Sequence, residues 1–225
     1  MAPARFGIPL FEYQALDVIG PLDVIAGTNT ALLKHYEDNN LIPKGLHEHG
    51  LELEFYHISD ITNKSKPTNL ELENLDVVAT VTTADCPQID YLLIGGPLPT
   101  FKLSEEMSTF IRDRVTKGEI KTIFTTCTGA AVLAQTGLLD GKRATVNMGM
   151  IDIARQMYPA VNWAQKTDKD NWVIDGNIWT ANGACTGMDM FAHWLIQECG
   201  LELAKFQFGT LGYAPRGIDG QLLSL

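Results

Sequence analysis

A single α/β domain, with a mostly parallel central sheet sandwiched by helices, is the fold this sequence predicts, on three observations. Short apolar, β-branched runs alternate with longer stretches of helical periodicity, the pattern of strands joined by crossover helices. The 225 residues suffice for one sizeable core, burying roughly 70% of the unfolded surface. No internal repeat, low-complexity tract or strong boundary divides them. Residues 1–225 are therefore read as one domain, with an excursion at 28–50.

Phe6–Leu10 is a first short strand. From Asp17 to about Tyr36 the apolar pattern is helical, with a Gly20-Pro21 interruption. Proline suits a first turn and damages an interior, so the helix is expected to begin near Pro21. Thr28 to Gly50 is polar and reads as irregular. Leu51–Ile58 alternates as a strand, and Val77–Thr83 is β-branched and expected to be well buried. Tyr91–Ile94 is short, apolar and closed by Gly95-Gly96-Pro97. Ser104 to Lys117 is an amphipathic helix with Ser104 as N-cap and Met107, Phe110, Ile111 and Val115 on one face. Thr122–Thr126 is the next strand, and it runs straight into Cys127-Thr128-Gly129 and the helical Ala130–Gln135. Trp172–Ile174 and Ile178–Thr180 flank Asp175-Gly176-Asn177, a tight hairpin signal. Thr186 to about Cys199 is a second apolar helix.

Composition narrows the function. Hydrophobic residues make up 45% and charged residues 20% of the chain, and the net charge is −10. Disorder, collagen and coiled coil are excluded as descriptions of the whole. Nucleic acid and anionic membrane are poor partners, because phosphate contacts need clustered Lys and Arg. No apolar run reaches the ~18 residues of a membrane span. The N-terminus lacks the basic and apolar regions of a signal peptide, and four cysteines form no disulfide framework. A reduced, cytoplasmic setting is expected, and Asn63-Lys64-Ser65 is read as a chance sequon.

The strongest local feature is strand–Cys127–helix. Small residues after a nucleophile permit the sharp turn that lifts its side chain off the sheet, a nucleophile elbow. The following helix N-terminus is expected to lower the thiol pKa and to hold a developing anion. The competing reading is a buried, inert cysteine. Asp17 stands before an apolar helical stretch, where an N-cap is the plainest role. Gly95 and Gly96 follow a buried strand, where a ligand can meet free backbone N–H groups; tight turns use the same dipeptide. His47-Glu48-His49 lacks the remaining ligands of a zinc site, so no metal is expected. His35, His57 and His193 are read as structural.

Taken in order, these segments resemble the ThiJ/PfpI superfamily, within the class I glutamine-amidotransferase-like, flavodoxin-like fold. The resemblance rests on Leu16-Asp17-Val18-Ile19-Gly20-Pro21-Leu22-Asp23-Val24, on Ala84 to Tyr91 followed by Gly95-Gly96, and on Asp175-Gly176-Asn177 and Gly187-Met188-Asp189. Its most specific part is Cys127-Thr128-Gly129 through Ala134, continued by Gly137 to Thr145. Thr128 stands where peptidase-like and several glyoxalase-like members place His, which disfavours a Cys–His dyad. Cys-Thr-Gly with an Asp before Gly-Pro is most similar to the isocyanide hydratase branch. Related amidase-like transcription regulators share much of the pattern and carry a C-terminal helix-turn-helix domain; this chain ends at Leu225 with no basic extension. Ile94 stands where proline often precedes the glycines, Asn147 where His is common, and the 28–50 excursion is longer than the hydratase pattern.

The resemblance implies Cys127 as nucleophile, Asp17 as the acid/base beside it and Thr128 as a polar helper. Gly95 and Gly96 would give backbone to the pocket, and Asn182, Ala184 and Cys185 would line it. It implies no cofactor, a small-molecule substrate and a homodimer. The reaction expected is hydration of an isocyanide to an N-formamide through a thioimidate. Two alternatives use the same cysteine: a glyoxalase- or deglycase-like enzyme on α-oxoaldehydes, and a non-enzymatic redox-sensing or stress-response protein.

Overall fold

A computed structural model describes residues 3–70, 72–164 and 169–224. Its centre is a seven-stranded sheet in the order β10-β11-β7-β6-β1-β2-β5. The strands are β1 (Ala4–Pro9), β2 (Leu53–Ser59), β5 (Val81–Thr82), β6 (Tyr91–Ile94), β7 (Thr122–Thr125), β10 (Trp172–Asp175) and β11 (Ile178–Ala181). β10 runs antiparallel to β11, and every other pairing is parallel. Two small two-stranded sheets lie outside it: β3 (Thr68–Leu70) with β4 (Leu75–Val77), and β8 (Arg143–Ala144) with β9 (Asn162–Trp163). The flanking helices are α1 (Ala15–Ala26), α2 (Thr30–Asp38), α3 (Glu105–Thr116), α4 (Gly129–Ala134), α5 (Ile151–Met157) and α6 (Ala184–Leu211).

The centre of the sheet is dry. All four residues of β6 are buried, as a parallel strand covered on both faces must be. Phe6 of β1 stacks on Tyr91 at 4.7 Å and meets Trp194 of α6 edge-on at 5.5 Å. Phe124 of β7 lies 4.6 Å from Phe191 of the same helix. Each such aromatic contributes about 1.5–3 kcal/mol by leaving water, so this cluster fixes α6 against the sheet. On α3, Ser104 Oγ accepts the Met107 N–H at 3.0 Å, as its sequence position predicts. The expected tight hairpin forms at 175–178; Asp175 pairs with Ile178, so its loop is the two residues Gly176 and Asn177, with Gly176 at φ +60°.

Three expectations are corrected. α1 does not begin near Pro21 but at Ala15, and Pro21 lies inside it. The carbonyl that proline leaves without a helical donor is satisfied from elsewhere in the fold. The run 77–83 is not one buried strand. Leu75–Val77 pairs with Thr68–Leu70 in a separate hairpin, Val78 is 58% exposed, and only Val81–Thr82 joins the main sheet. The stretch 28–50 is not irregular. Asn29 Oδ1 caps α2 by accepting the Ala31 and Leu32 N–H groups, Leu33 is fully buried, and Leu46–His49 forms a 3₁₀ turn. The expected helix end at Cys199 falls beside Gly200, whose φ of +77° kinks α6.

Parallel strands point their C-terminal ends to one edge of the sheet. Ile94 pairs with Thr125, and β1 lies on the other side of β6. The turns after β1, β6 and β7 therefore converge, and open parallel sheets use that carboxyl edge to bind ligands.

Candidate active site

Cys127 follows β7 and precedes α4. Its φ of +54° is left-handed, which is uncommon for a residue with a Cβ and is tolerated where the surroundings enforce it. The backbone is enforced at both flanks: Thr126 N–H donates to the Ile94 carbonyl at 3.1 Å, and Asn147 N–H donates to the Cys127 carbonyl at 3.1 Å. Gly129 lets α4 approach β6, since a Cβ there would sit 2.2 Å from the Ile94 carbonyl oxygen. The expected elbow is thus present in backbone geometry, and Cys127 is partly exposed.

Asp17 is the third residue of α1, fully buried, and makes no cap. The N-cap reading of Asp17 is overturned because its carboxylate faces the sheet edge. Oδ2 accepts the Gly96 N–H at 3.2 Å, while Oδ1 is buried without a hydrogen bond of good geometry. Burial pushes its pKa up to about 7, and Glu73 pushes the same way; the Gly96 N–H, Thr126 hydroxyl and Cys127 thiol offset part of the rise. Asp17 is therefore an acid that still holds a proton near neutral pH.

The thiol departs from expectation. Burial, and then the Asp17 charge, raise the Cys127 pKa above its ordinary value. The lowering contributions expected from the elbow exist but are smaller: the Asn147 amide, then the N–H and hydroxyl of Thr128. Asn147 Nδ2 donates to Cys127 Sγ at 3.5 Å. A neutral carboxyl beside a neutral thiol shares its protons as a pair, and the two titrate together.

Gly96 is fixed by close approach. A Cβ there would lie 2.6 Å from Thr128 Oγ1 and 2.8 Å from Asp17 Oδ2. Thr128 Oγ1 donates to the Pro97 carbonyl at 2.6 Å, locking the elbow to the glycine turn. A cavity of about 340 Å³ opens above Cys127, lined among others by Tyr13, Gly96, Phe101, Thr128 and Asn147. Its charged lining residue is Glu12, and no Lys, Arg or His lines it among the described residues. Through Thr128, Phe101 and Met150 it adjoins a small apolar recess of about 30 Å³ that includes Val132 and Tyr158.

The sequence-derived residues divide. Asp17, Gly96, Cys127 and Thr128 meet in one place. Gly95 lies one residue back, against Val18 and Tyr13. Asn182, Ala184 and Cys185 are not among the residues lining this cavity; they stand at the start of α6, where Asn182 Oδ1 accepts from Thr186. His47 Nδ1 pairs with buried Glu37 at 2.8 Å. Asn147 contacts the thiol without having been read as a site residue, and its only signal was its departure from the family's usual His. The Thr126 contact with α1 had no signal, because it joins residues 109 apart.

A strand-to-helix elbow, a buried acid and a glycine turn at the carboxyl edge define a cysteine-bearing α/β protein. The chain belongs to the DJ-1/PfpI family, which matches residues 46–197. It is 30% identical over 213 residues to an isonitrile hydratase of Pseudomonas putida, covering 94% of this chain and 79% of that one. It is 27% identical over 133 residues to the HTH-type transcriptional regulator GbdR of Pseudomonas aeruginosa, covering 59% of this chain and 35% of that one. Drosophila melanogaster DJ-1beta superposes with a TM-score of 0.68 at 16% identity, covering 94% of this chain and 99% of that chain. No helix among the described residues is long and apolar enough to cross a membrane.

Proposed function

We propose that this protein is a cofactor-free hydratase that converts isocyanides to N-formamides, with Cys127 as nucleophile and Asp17 as acid/base. The observation that carries the reading is the buried, protonatable Asp17 held by Gly96 beside Cys127 on a left-handed elbow. The thiolate attacks the terminal carbon of R–N≡C, and the pair's proton is delivered to that carbon, giving the thioimidate R–N=CH–S–Cys127. Water then adds to the C=N carbon. Collapse of the R–NH–CH(OH)–S adduct expels the thiolate and releases R–NH–CHO. The net change is one isocyanide plus one water, and the acid/base cycle needs a group titrating near neutral pH.

The cavity supports a neutral, compact substrate. An isocyanide carries no net charge, and the lining offers no cation to an anionic one. The apolar side chains Phe101, Val132 and Met150 of the adjoining recess give the substrate's hydrocarbon group an apolar wall. Thr128 and Asn147 line the cavity beside Cys127, and the absence of a His next to the cysteine among the described residues disfavours the α-oxoaldehyde route. The similarity to the isonitrile hydratase over most of both chains supports the same reading.

The test is absorbance-monitored formamide production from an aromatic isocyanide. Turnover by the wild type that is lost in Cys127→Ala is the expected result. A folded wild type that turns over methylglyoxal and no isocyanide contradicts it.

A further inference from the structure

We propose that Thr126 is a positioning residue: its hydroxyl holds the Asp17 carbonyl that Pro21 leaves without a helical donor, and so sets the Asp17 carboxyl against Cys127. The inference rests on Asp17 and Cys127 being the reacting pair.

The argument begins with the proline. In an α-helix the N–H of residue 21 bonds to the carbonyl of residue 17, and proline has no N–H. Asp17 is fully buried, so its orphaned carbonyl cannot turn to water, and a buried unpaired carbonyl is costly. Thr126 Oγ1, 109 residues away in sequence, donates to it at 2.9 Å. The bond ties the first turn of α1 directly to the residue before Cys127.

Thr126 can act as a ruler because the rest of it is fixed. Its N–H donates to Ile94 at 3.1 Å, and its carbonyl accepts the Gly129 N–H at 2.8 Å. Its methyl packs where Gly187 of α6 has no side chain; a Cβ on Gly187 would stand 2.4 Å from Thr126 Cγ2. The side chain is wholly buried, so its hydroxyl keeps one direction. With its one proton committed to the carbonyl, the hydroxyl still lies near enough to the Asp17 carboxyl to offset a little of the rise that burial produces. The other ionisable groups bearing on Asp17 are Cys127 from the elbow and Glu73 from the turn between β3 and β4. Against α1 at Gly20, α6 places uncharged Met188.

The test separates hydroxyl from methyl. Thr126→Val keeps the methyl against Gly187 and removes the donor; Thr126→Ser keeps the donor. Rates of iodoacetamide capture at Cys127 are read by peptide mass spectrometry across pH 5–10, alongside formamide kinetics. For Thr126→Val, kcat is expected to fall about 10- to 100-fold with KM little changed, and the capture midpoint to move down by about half to one pH unit, because a loosened Asp17 carboxylate no longer raises the thiol pKa as strongly. Thr126→Ser is expected to keep the wild-type midpoint. The capture profile needs no substrate, so it judges Thr126 even if the wild type makes no formamide. A folded Thr126→Val with the wild-type profile, or a serine variant as displaced as the valine, overturns the proposal. Should Thr126→Val fail to fold, Pro21→Ala returns an N–H to the Asp17 carbonyl. The double variant is then expected to fold, with a capture midpoint close to that of the wild type, and one that stays unfolded overturns the proposal.

Discussion

At the scale of single residues, Asp17 carries the largest consequence. Its ordinary pKa of 3.8 rises to about 7 in the fold. Between those values the folded state binds the proton that the unfolded state has lost, so stability falls as pH rises through this window. A gap of roughly three pH units, at about 1.4 kcal/mol each, gives up to about 4 kcal/mol. Asp17→Asn abolishes that titration, so its stability relative to wild type is expected to increase by about 2–4 kcal/mol from pH 4 to pH 8. Urea midpoints at both values check this, and parallel pH curves for the two proteins contradict it. Gly96→Ala places a methyl within 2.8 Å of Asp17 Oδ2 and closer still to Thr128 Oγ1. It is expected to cost about 1–3 kcal/mol and to lower turnover at least tenfold, by the misplacement argument. Cys127 and Asp17 were legible in the sequence through motif resemblance. The direction of the thiol's pKa was not, because the elbow pattern shows the helix N-terminus and hides the burial and the neighbouring carboxyl. Asn147 was visible only as a missing His.

At the scale of elements, sequence reasoning succeeded where one local cause decided the outcome. Ser104 caps α3 because a hydroxyl at that position meets the Met107 N–H, and Gly176 turns β10 into β11 because its φ is positive. Ser104→Ala is accordingly expected to lose about 1 kcal/mol of stability with kcat unchanged, since its partners are Met107 and Asp60 rather than the site. The failures share a different cause. Pro21 predicts a helix start only if no distant group can replace its missing hydrogen bond, and Thr126 does. The run 77–83 predicts a single strand only if its halves have one partner, and they have two. The polarity of 28–50 predicts an irregular loop, while a single buried leucine and an Asn cap are enough to order a helix there. In each case a long-range contact outweighed the local pattern.

At the scale of the whole molecule, alternating strands and helices specified the parallel sheet, and its carboxyl edge gathers Asp17 of α1 with Gly96 and Cys127 of the turns after β6 and β7. One core runs through both halves of the sheet, from Phe6 to Trp172. Unfolding is therefore expected to be a single transition, coincident by tryptophan fluorescence and far-UV circular dichroism; two separated transitions contradict a single domain. With a net charge of −10 and no Lys, Arg or His lining the cavity among the described residues, neutral isocyanides are expected to be turned over faster than anionic ones. The central claim is that Cys127 and Asp17 act as one proton-sharing pair on an isocyanide carbon. Its most direct measurement is the rate of formamide production from an aromatic isocyanide across pH 5–10, for wild type, Cys127→Ala and Asp17→Asn. The expected result is a wild-type profile that rises as the first proton leaves the pair near pH 7 and falls as the second leaves. Cys127→Ala is expected to be inactive, and Asp17→Asn to be reduced and without the limb near pH 7. Wild-type turnover that persists in Cys127→Ala, or an Asp17→Asn profile identical to wild type, would contradict the account.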